Sequence, residues 1–333
     1  MIYLAGDAGD VPREDSPLLQ ALRRDVEAWS AALPPRVPVV LLFLGDNVYP
    51  EGVRPRPSRS FPADSARLAG QVWAGSGPAA RTHGTRVVFV PGNHDWGNRG
   101  GAEGRARLEN EARLLEEMGD DGRITLEPTP GELGPALLDL SPAVRIAFLD
   151  THAWLLEERD AVRAAALAEL ERLLSDTHAA TDAAPLIVAA HHPLVSAGPH
   201  GARRGWGPLA WLHRAGAMLQ DLNSAPYREL RRSMRDVFRR TGAPLIWAAG
   251  HDHVLQVHRS EGTDLPRWSL GSGSGSKVSG VGDADPDDAL LWAAGRPGYM
   301  RVIFLTDGGA RLEVMTRVGK EASFVPTFAV TMR

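Results

Sequence analysis

Val39-Val40-Leu41-Leu42-Phe43-Leu44-Gly45-Asp46-Asn47-Val48-Tyr49 is an apolar run closed by a glycine, an acid and an amide. A short apolar run bounded by turn residues reads as a strand buried on both faces. The pattern recurs along the chain. Tyr3–Ala5 stops at Gly6-Asp7, Arg86–Val90 at Pro91-Gly92-Asn93-His94-Asp95, and Val144–Leu149 at Asp150-Thr151. Leu186–Ala190 stops at His191-His192-Pro193, and Leu245–Ala249 at Gly250-His251-Asp252-His253. Helical spacings lie between several of these runs. Pro17–Ala32 carries Leu18, Leu19, Leu22, Val26 and Trp29 at helical intervals, and Glu103–Met118, Arg159–Leu174 and Tyr227–Arg240 read the same way. Strands alternating with helices predict a mostly parallel α/β arrangement, in which ligands gather at the carboxyl ends of the strands. Asp, Asn and Gly are good turn formers, which accounts for one or two such ends. It does not account for His191, His251 and His253 in the same places.

The last third reads differently. Val254–His258, Arg267–Leu270, Tyr299–Leu305 and Arg311–Arg317 predict short strands with tight turns, completing the same domain as an antiparallel sheet. Pro50–Pro62 and the acidic run Asp283–Asp288 read as surface loops. Gly271–Ser276 reads as a flexible linker or as a tight loop. Residues 196–226 are long, rich in Gly, Trp and Arg, and directly follow a histidine pair, as a lid or substrate loop would.

Composition narrows the function classes. The 333 residues include no cysteine, which excludes thiolate zinc, iron–sulfur ligation, disulfides and a cysteine nucleophile. Lys+Arg 37 against Asp+Glu 41 gives a net charge of -4, and no nucleic-acid binding is expected from it. Of the basic residues only Lys277 and Lys320 are lysine. Hydrophobic content of 43% suits a globular protein, and no apolar run is long enough to span a membrane. Met-Ile-Tyr-Leu-Ala at the start reads as a strand and not as a leader, so the expected compartment is the cytoplasm. A leader removed from the natural chain would change that expectation to the periplasm or to secretion.

Hard carboxylates and imidazoles together suit Zn, Fe or Mn. The candidate ligands are Asp7, Asp46, Asn93, His191, His251 and His253, with Tyr49 as a phenolate. This is more than one cation needs, whereas two cations sharing a carboxylate use the set naturally. A two-metal site about 3.5–4 Å across clamps the attacking and leaving oxygens of a displacement at phosphorus and acidifies a bound water toward about pKa 7. No side-chain nucleophile is then required.

Five blocks now stand together: Gly6-Asp7-Ala8-Gly9, Gly45-Asp46-Asn47-Val48-Tyr49, Gly92-Asn93-His94-Asp95, His191-His192-Pro193 and Gly250-His251-Asp252-His253. In order and spacing they resemble the calcineurin-like metallophosphoesterase superfamily, and within it the purple acid phosphatase branch, especially its small tartrate-resistant type. Most of the superfamily has Asp-x-His in the first block. Asp7-Ala8-Gly9 lacks that histidine, as the purple branch does, and Tyr49 stands where that branch supplies a tyrosine. The resemblance implies a four-layer α/β/β/α sandwich with two mixed sheets, formed by residues 1–333 as one domain. It implies ferric iron held by Asp7, Tyr49 and His253, a second ion (Fe(II), Zn or Mn) held by Asn93, His191 and His251, and Asp46 as the bridge. Of the pair His191 and His192, it favours His191 as the ligand. It implies that His94 faces the phosphate, with Asp95 orienting it, and that His200 either faces substrate or is a solvated loop histidine. Asn47 orients the bridging carboxylate or the hydroxide, or is a turn residue. His83, His152, His178, His213 and His258 read as packing or surface residues, His152 beside Asp150 being the one nearest a strand end. Gly271–Ser276 becomes a tight loop near the metals.

The expected function is hydrolysis of a small phosphomonoester by metal-bound hydroxide. The rival readings are a phosphodiesterase or nucleotide pyrophosphatase on the same scaffold, and a non-catalytic binding protein, against which the full ligand set speaks.

Overall fold

The computed structural model describes residues 1–119, 121–141, 144–179, 184–201, 219–273, 275, 277–282, 289–306, 308–319 and 323–332. The strands are β1 (Ile2–Ala5), β2 (Val40–Phe43), β3 (Arg86–Phe89), β4 (Ile124–Leu126), β5 (Ala136–Ser141), β6 (Val144–Leu149), β7 (Leu186–Ala190), β8 (Ile246–Ala249), β9 (Leu255–Arg259), β10 (Trp268–Ser272), β11 (Leu290–Ala294), β12 (Gly298–Phe304), β13 (Ala310–Arg317) and β14 (Phe324–Met332). They form two seven-stranded mixed sheets, ordered β14-β13-β12-β1-β2-β3-β4 and β11-β9-β10-β8-β7-β6-β5. The α-helices among the described residues are α1 (Pro17–Ala32), α2 (Phe61–Gly75), α3 (Pro78–His83), α4 (Gly101–Met118), α5 (Thr151–Leu156), α6 (Asp160–Ala179) and α7 (Ala225–Thr241).

The apolar runs explain the layering. Strand side chains alternate between faces, so a run with no polar residue buries both. Ile2, Leu4, Val40, Leu42 and Val88 of the first sheet share a core with Ile146, Ile187, Ile246 and Leu270 of the second. Their neighbours in sequence face the helices. Tyr3, Leu41, Phe43 and Val87 pack with Leu18, Leu19 and Leu22 of α1 and Leu68 of α2, while Leu186, Val188 and Trp247 pack with Leu170 and Leu173 of α6 and Leu230 and Val237 of α7. Sheet lies on sheet with helices outside both, the expected four layers. Ser16 and Ser224 start α1 and α7 by accepting the amides of Leu19 and Tyr227, each ahead of a proline in the first turn.

Two expectations change. The late strands do not make one antiparallel sheet: β9 and β10 join the second sheet, where β10 runs parallel to β8, and β12 to β14 extend the first beside β1. The Pro50–Pro62 loop leads into α2, a helix that the sequence pattern did not predict. There Arg54 grips the buried Asp64 carboxylate at 2.8 and 2.9 Å. The Asp283–Asp288 run lies outside the described residues.

The parallel strands β1, β2, β3, β6, β7 and β8 bring their carboxyl ends to one edge where the two sheets meet. Two glycines permit the approach. A Cβ on Gly45 (φ 87°) would stand 2.4 Å from His191 Nδ1, and one on Gly250 would stand 2.7 Å from Asp7 Oδ2.

Away from that edge, α1 is tied to the first sheet by ions. Arg301 Nη1 donates to both Asp25 oxygens at 2.8 and 2.9 Å, Tyr299 Oη donates to Asp25 at 2.8 Å, and Arg301 Nε and Arg311 Nε donate to Glu313 at 2.6 and 2.8 Å. Burial pushes the Glu313 carboxyl up, but the two guanidinium groups outweigh it and hold it below its ordinary 4.5. A carboxyl depressed in the folded state stabilises fully above its unfolded value and stops doing so as pH falls through its folded one. Glu313→Gln is therefore expected to lower stability by about 1–2 kcal/mol at pH 7. The gap from wild type should shrink as pH drops below 4.5. Denaturant melts of both proteins at pH 7 and pH 3.5 check this, and a gap that does not narrow in acid excludes it.

Candidate metal centre

Asp7, Asp46 and His251 sit two or three residues past the last residues of β1, β2 and β8 and all adopt left-handed backbone, with φ of 54°, 56° and 71°. Such conformations cost roughly 1–2 kcal/mol for a residue with a Cβ and cluster at functional sites. Here each one turns a donor group into the space between the sheets. Asp7, Asp46, Tyr49, Asn93, His191 and His251 are buried, and His253 is partly exposed.

The donor atoms converge in two groups. In the first, Tyr49 Oη lies 3.0 Å from Asp7 Oδ1, 2.9 Å from Asp46 Oδ2 and 3.2 Å from His253 Nε2. In the second, His191 Nε2 lies 3.0 Å from Asn93 Oδ1 and 3.4 Å from Asp46 Oδ1. Asp46 thus presents one oxygen to each group. The His251 ring centroid is 5.1 Å from that of His191. Ligand atoms of Asp7, Asp46 and His191 lie within 4.8 Å of one another.

Backbone carbonyls fix which ring nitrogen of each histidine is left for a ligand. His191 Nδ1 is 2.8 Å from Leu44 O and donates there, so Nε2 carries the lone pair that faces Asn93 and Asp46. His251 Nε2 is 2.9 Å from Gln220 O and donates there, which leaves Nδ1. Asn98, itself left-handed with φ 55°, accepts Asn93 Nδ2 at 2.6 Å and so turns Asn93 Oδ1 toward His191. Two acceptors facing each other at 3.0 Å repel unless a cation lies between them. Two carboxylates, a phenol oxygen, an amide oxygen and three imidazoles fit two such cations, one per group, with Asp46 between.

Electrostatics agree with this crowding. Burial, then the Asp46 and Asp7 carboxylates, push the Tyr49 phenol well above its ordinary value. Burial raises the Asp46 carboxyl, but His191, His94 and the His94 amide outweigh it and hold it below the usual range.

His192 is close to His191 and His251, yet both its ring nitrogens are engaged. The Thr151 hydroxyl accepts the His192 amide at 3.1 Å and lies 2.8 Å from Nδ1, and Nε2 donates to Gln220 Oε1 at 2.6 Å. Gln220 Nε2 then reaches His152 Nδ1 at 3.3 Å, and His152 Nε2 donates to Arg99 O at 3.3 Å. His192 and His152 are links of one buried relay that holds the Gln220 carbonyl against His251.

His94 is at the mouth of the site. Its Nδ1 is 2.7 Å from Pro50 O and its Nε2 is 3.9 Å from Asp46 Oδ2. Asp95 does not orient it. The Asp95 carboxylate accepts the amides of Asn47, Val48 and Gly92 at 2.8 to 2.9 Å and Asn47 Nδ2 at 3.2 Å, pinning the second block to the third. The Pro50 carbonyl holds His94 instead, accepting Nδ1–H, and it also accepts Asn98 Nδ2 at 3.4 Å. Asn47 turns away from the Asp46 oxygens, toward Val90 O, Asp95 and the buried Glu111 of α4. His200 stacks on His251 at 4.6 Å, and its Nδ1 meets Asp221 at 2.9 Å. Burial lowers the His200 ring, but Asp221 and Asp252 outweigh it and raise it above its ordinary value.

Of the stretch Gly271–Ser276, Gly271 and Ser272 end β10, Gly273 and Gly275 lie against Asp7, where added Cβ atoms would stand 2.5 and 2.2 Å from it, and Ser274 and Ser276 lie outside the described residues. Of the expected lid, His200, Gln220 and Asp221 border the site, Ala225 and Pro226 open α7, and residues 202–218, with His213, lie outside the described residues. His83, His178 and His258 meet Val37 O, Ala243 O and Gln256, away from the donors. Glu111, Gln220 and Asn98 carry no sequence pattern that marks them, whereas Asp252, which accepts the His200 amide at 3.0 Å, falls within the fifth block.

The sequence profile described as Calcineurin-like phosphoesterase matches residues 8–255. Among solved structures, GAP50, described as the anchor in the inner membrane complex of Plasmodium, matches with TM-score 0.57 and 16% identity over 99% of this chain and 87% of its own. Purple acid phosphatase PPD1 from yellow lupin (Lupinus luteus) seeds matches with TM-score 0.63 and 12% identity over 99% of this chain and 53% of its own. PhoD matches with TM-score 0.62 and 10% identity over 99% and 69%. At these identities the likeness is one of fold. Among curated proteins none matches the chain by sequence.

If Asn98 aims the Asn93 amide, Asn98→Ala should weaken metal retention at the second group about 10- to 100-fold while the protein stays folded. Zinc titration of the metal-stripped variant, with the far-ultraviolet spectrum as the folding control, measures it. Unchanged affinity would show that Asn93 needs no such guide.

Proposed function

The chain belongs to the calcineurin-like phosphoesterase family, and from that premise we propose that it is a purple acid phosphatase-like phosphomonoesterase with a binuclear metal site. Asp7, Tyr49 and His253 would hold ferric iron, Asn93, His191 and His251 would hold Fe(II), Zn or Mn, and Asp46 would serve both. The observation that carries the reading is the Tyr49 oxygen, set 2.9 to 3.2 Å from Asp7, Asp46 and His253. A phenol has one proton to donate, so three such neighbours suit a phenolate on a shared cation. One similar fold is described as an anchor. Fold alone therefore does not carry catalysis; the converged side chains do.

When bound, the two ions supply charge neutralisation at phosphorus and a nucleophilic water. The chain does the rest. Asp46 and Asp7, fixed by the amides of His94 and His251 at 2.9 Å, set where the ions lie. His94, with Nδ1–H anchored on Pro50 O, can donate from Nε2 to a phosphoryl oxygen or to the departing alcohol when that nitrogen also carries a proton. His200, paired with Asp221, offers a second imidazole on the His251 side.

An aryl phosphate assay with metal analysis tests the function directly. Activity should vanish with a chelator, return with iron and zinc, and favour the monoester over the corresponding diester; a preference for the diester would replace the monoesterase reading. His94→Ala should keep its metal and turn over about 10²- to 10⁴-fold more slowly. Loss of metal instead would make His94 a ligand. The oxidised, iron-loaded protein should be violet to pink from phenolate-to-ferric charge transfer, and Tyr49→Phe should bleach it. A colourless iron-loaded wild type, or a coloured Tyr49→Phe, would remove Tyr49 from the ligand set.

A further inference from the structure

Lys277 brings a cation to the mouth of the site, its Nζ 3.8 Å from the centroid of the Tyr49 ring. The ammonium pairs with Asp10, at 3.4 Å, in the loop after Asp7. The side chain is 42% exposed and Asp10 is 29% exposed, so that pair contributes little to stability.

Described residues on either side of Lys277, namely Gly275, Ser279 and Gly282, are nevertheless fixed to the site's loops. Gly275 packs on Asp7 O. The Ser279 amide donates to His253 O, and the Gly282 amide donates to Ala197 O, both at 2.8 Å. These contacts tie the lysine segment to the loops that carry Asp7, His253 and His200. The lysine side chain then crosses the face of Tyr49, whose ring also meets the His94 ring at 4.3 Å. An imidazole and an ammonium therefore rest on one aromatic ring whose oxygen points into the donor cluster.

Residue type adds an independent argument. The chain has 37 basic residues and only two are lysine, Lys277 and Lys320. An ammonium is a compact charge with rotatable donors, whereas a guanidinium is a broad planar fork. Over a ring beside a small tetrahedral anion, the compact group can swing from Asp10 to an oxygen of that anion.

We propose that Lys277 is a substrate-binding residue, its ammonium holding a terminal oxygen of the phosphoryl group and selecting the dianion of a phosphomonoester over the monoanion of a diester. This rests on the phosphomonoesterase reading above and sharpens it, because a monoester offers one more anionic oxygen than a diester does. A cation at the mouth rewards that oxygen directly.

The test uses metal-loaded wild type, Lys277→Met and Lys277→Arg, with inorganic phosphate as the binding probe and an aryl phosphomonoester and its diester as substrates. Lys277→Met should weaken phosphate binding, measured by calorimetry, about 10- to 100-fold. It should raise KM for the monoester by a similar factor, change diester kcat/KM less than about threefold, and leave metal content and melting temperature at wild-type values. Lys277→Arg, which keeps the charge but replaces the compact group by a planar fork, should recover only part of the phosphate affinity. Unchanged phosphate binding in Lys277→Met would overturn the proposal, and so would equal losses on both substrates, which would show a general field without selection. A wild type that hydrolyses no monoester would remove the monoesterase reading and the selectivity with it. Weakened phosphate binding in Lys277→Met would then still identify the lysine as the anion's partner.

Discussion

The two oxygens of Asp46 face different donor groups, and this requirement governs how the two sheets meet. One carboxylate cannot present an oxygen to each group unless the loops after β2, β3, β7 and β8 come within a few ångströms of one another. Close-packed backbone at Gly45 and Gly250 provides that approach. Left-handed turns at Asp7, Asp46 and His251 provide the aim. Both devices run against ordinary backbone preference, so the surrounding core has to over-determine them. The continuous apolar core between the sheets does so, which is why strands that look merely hydrophobic matter to the chemistry.

The parts of this design that depend on local sequence are legible in the residues themselves. Six buried strands and the polar cluster after each follow from apolar runs and turn residues alone. Longer-range features do not. Strands β9, β10, β12 and β13 look alike in sequence, and nothing in their residues says which sheet each will join, because pairing is decided by partners far along the chain. Asp95 shows a similar limit. Its place beside His94 suggests a partner for that ring, but its carboxylate turns to three backbone amides. Backbone groups are invisible in a residue pattern.

The same holds for the atoms that orient the histidines. Leu44 O and Gln220 O choose the free nitrogens of His191 and His251, and a carbonyl is present at every position. Gln220 is placed by a relay through His192 and His152, so two histidines that do not face the donors still act on the geometry of one that does. The donors are legible because donor chemistry is written in side chains. The frame around them is largely main chain, and little of it shows in a residue pattern.

The order of the strands also carries a consequence in time. Strand β1 sits in the interior of its sheet, with Ile2 opposite Val40 on one side and Val302 on the other. The Asp7 carboxylate accepts the amide of a residue 244 positions later. A chain emerging from the ribosome therefore makes Asp7, Asp46, Tyr49 and Asn93 long before the histidines that complete their pockets, and cannot close the first sheet until β12 has been made. Contacts of such separation form late and slowly. The complete donor set is accordingly among the last features to assemble, because Asp7 and Asp46 wait for His191, His251 and His253 to be made and packed.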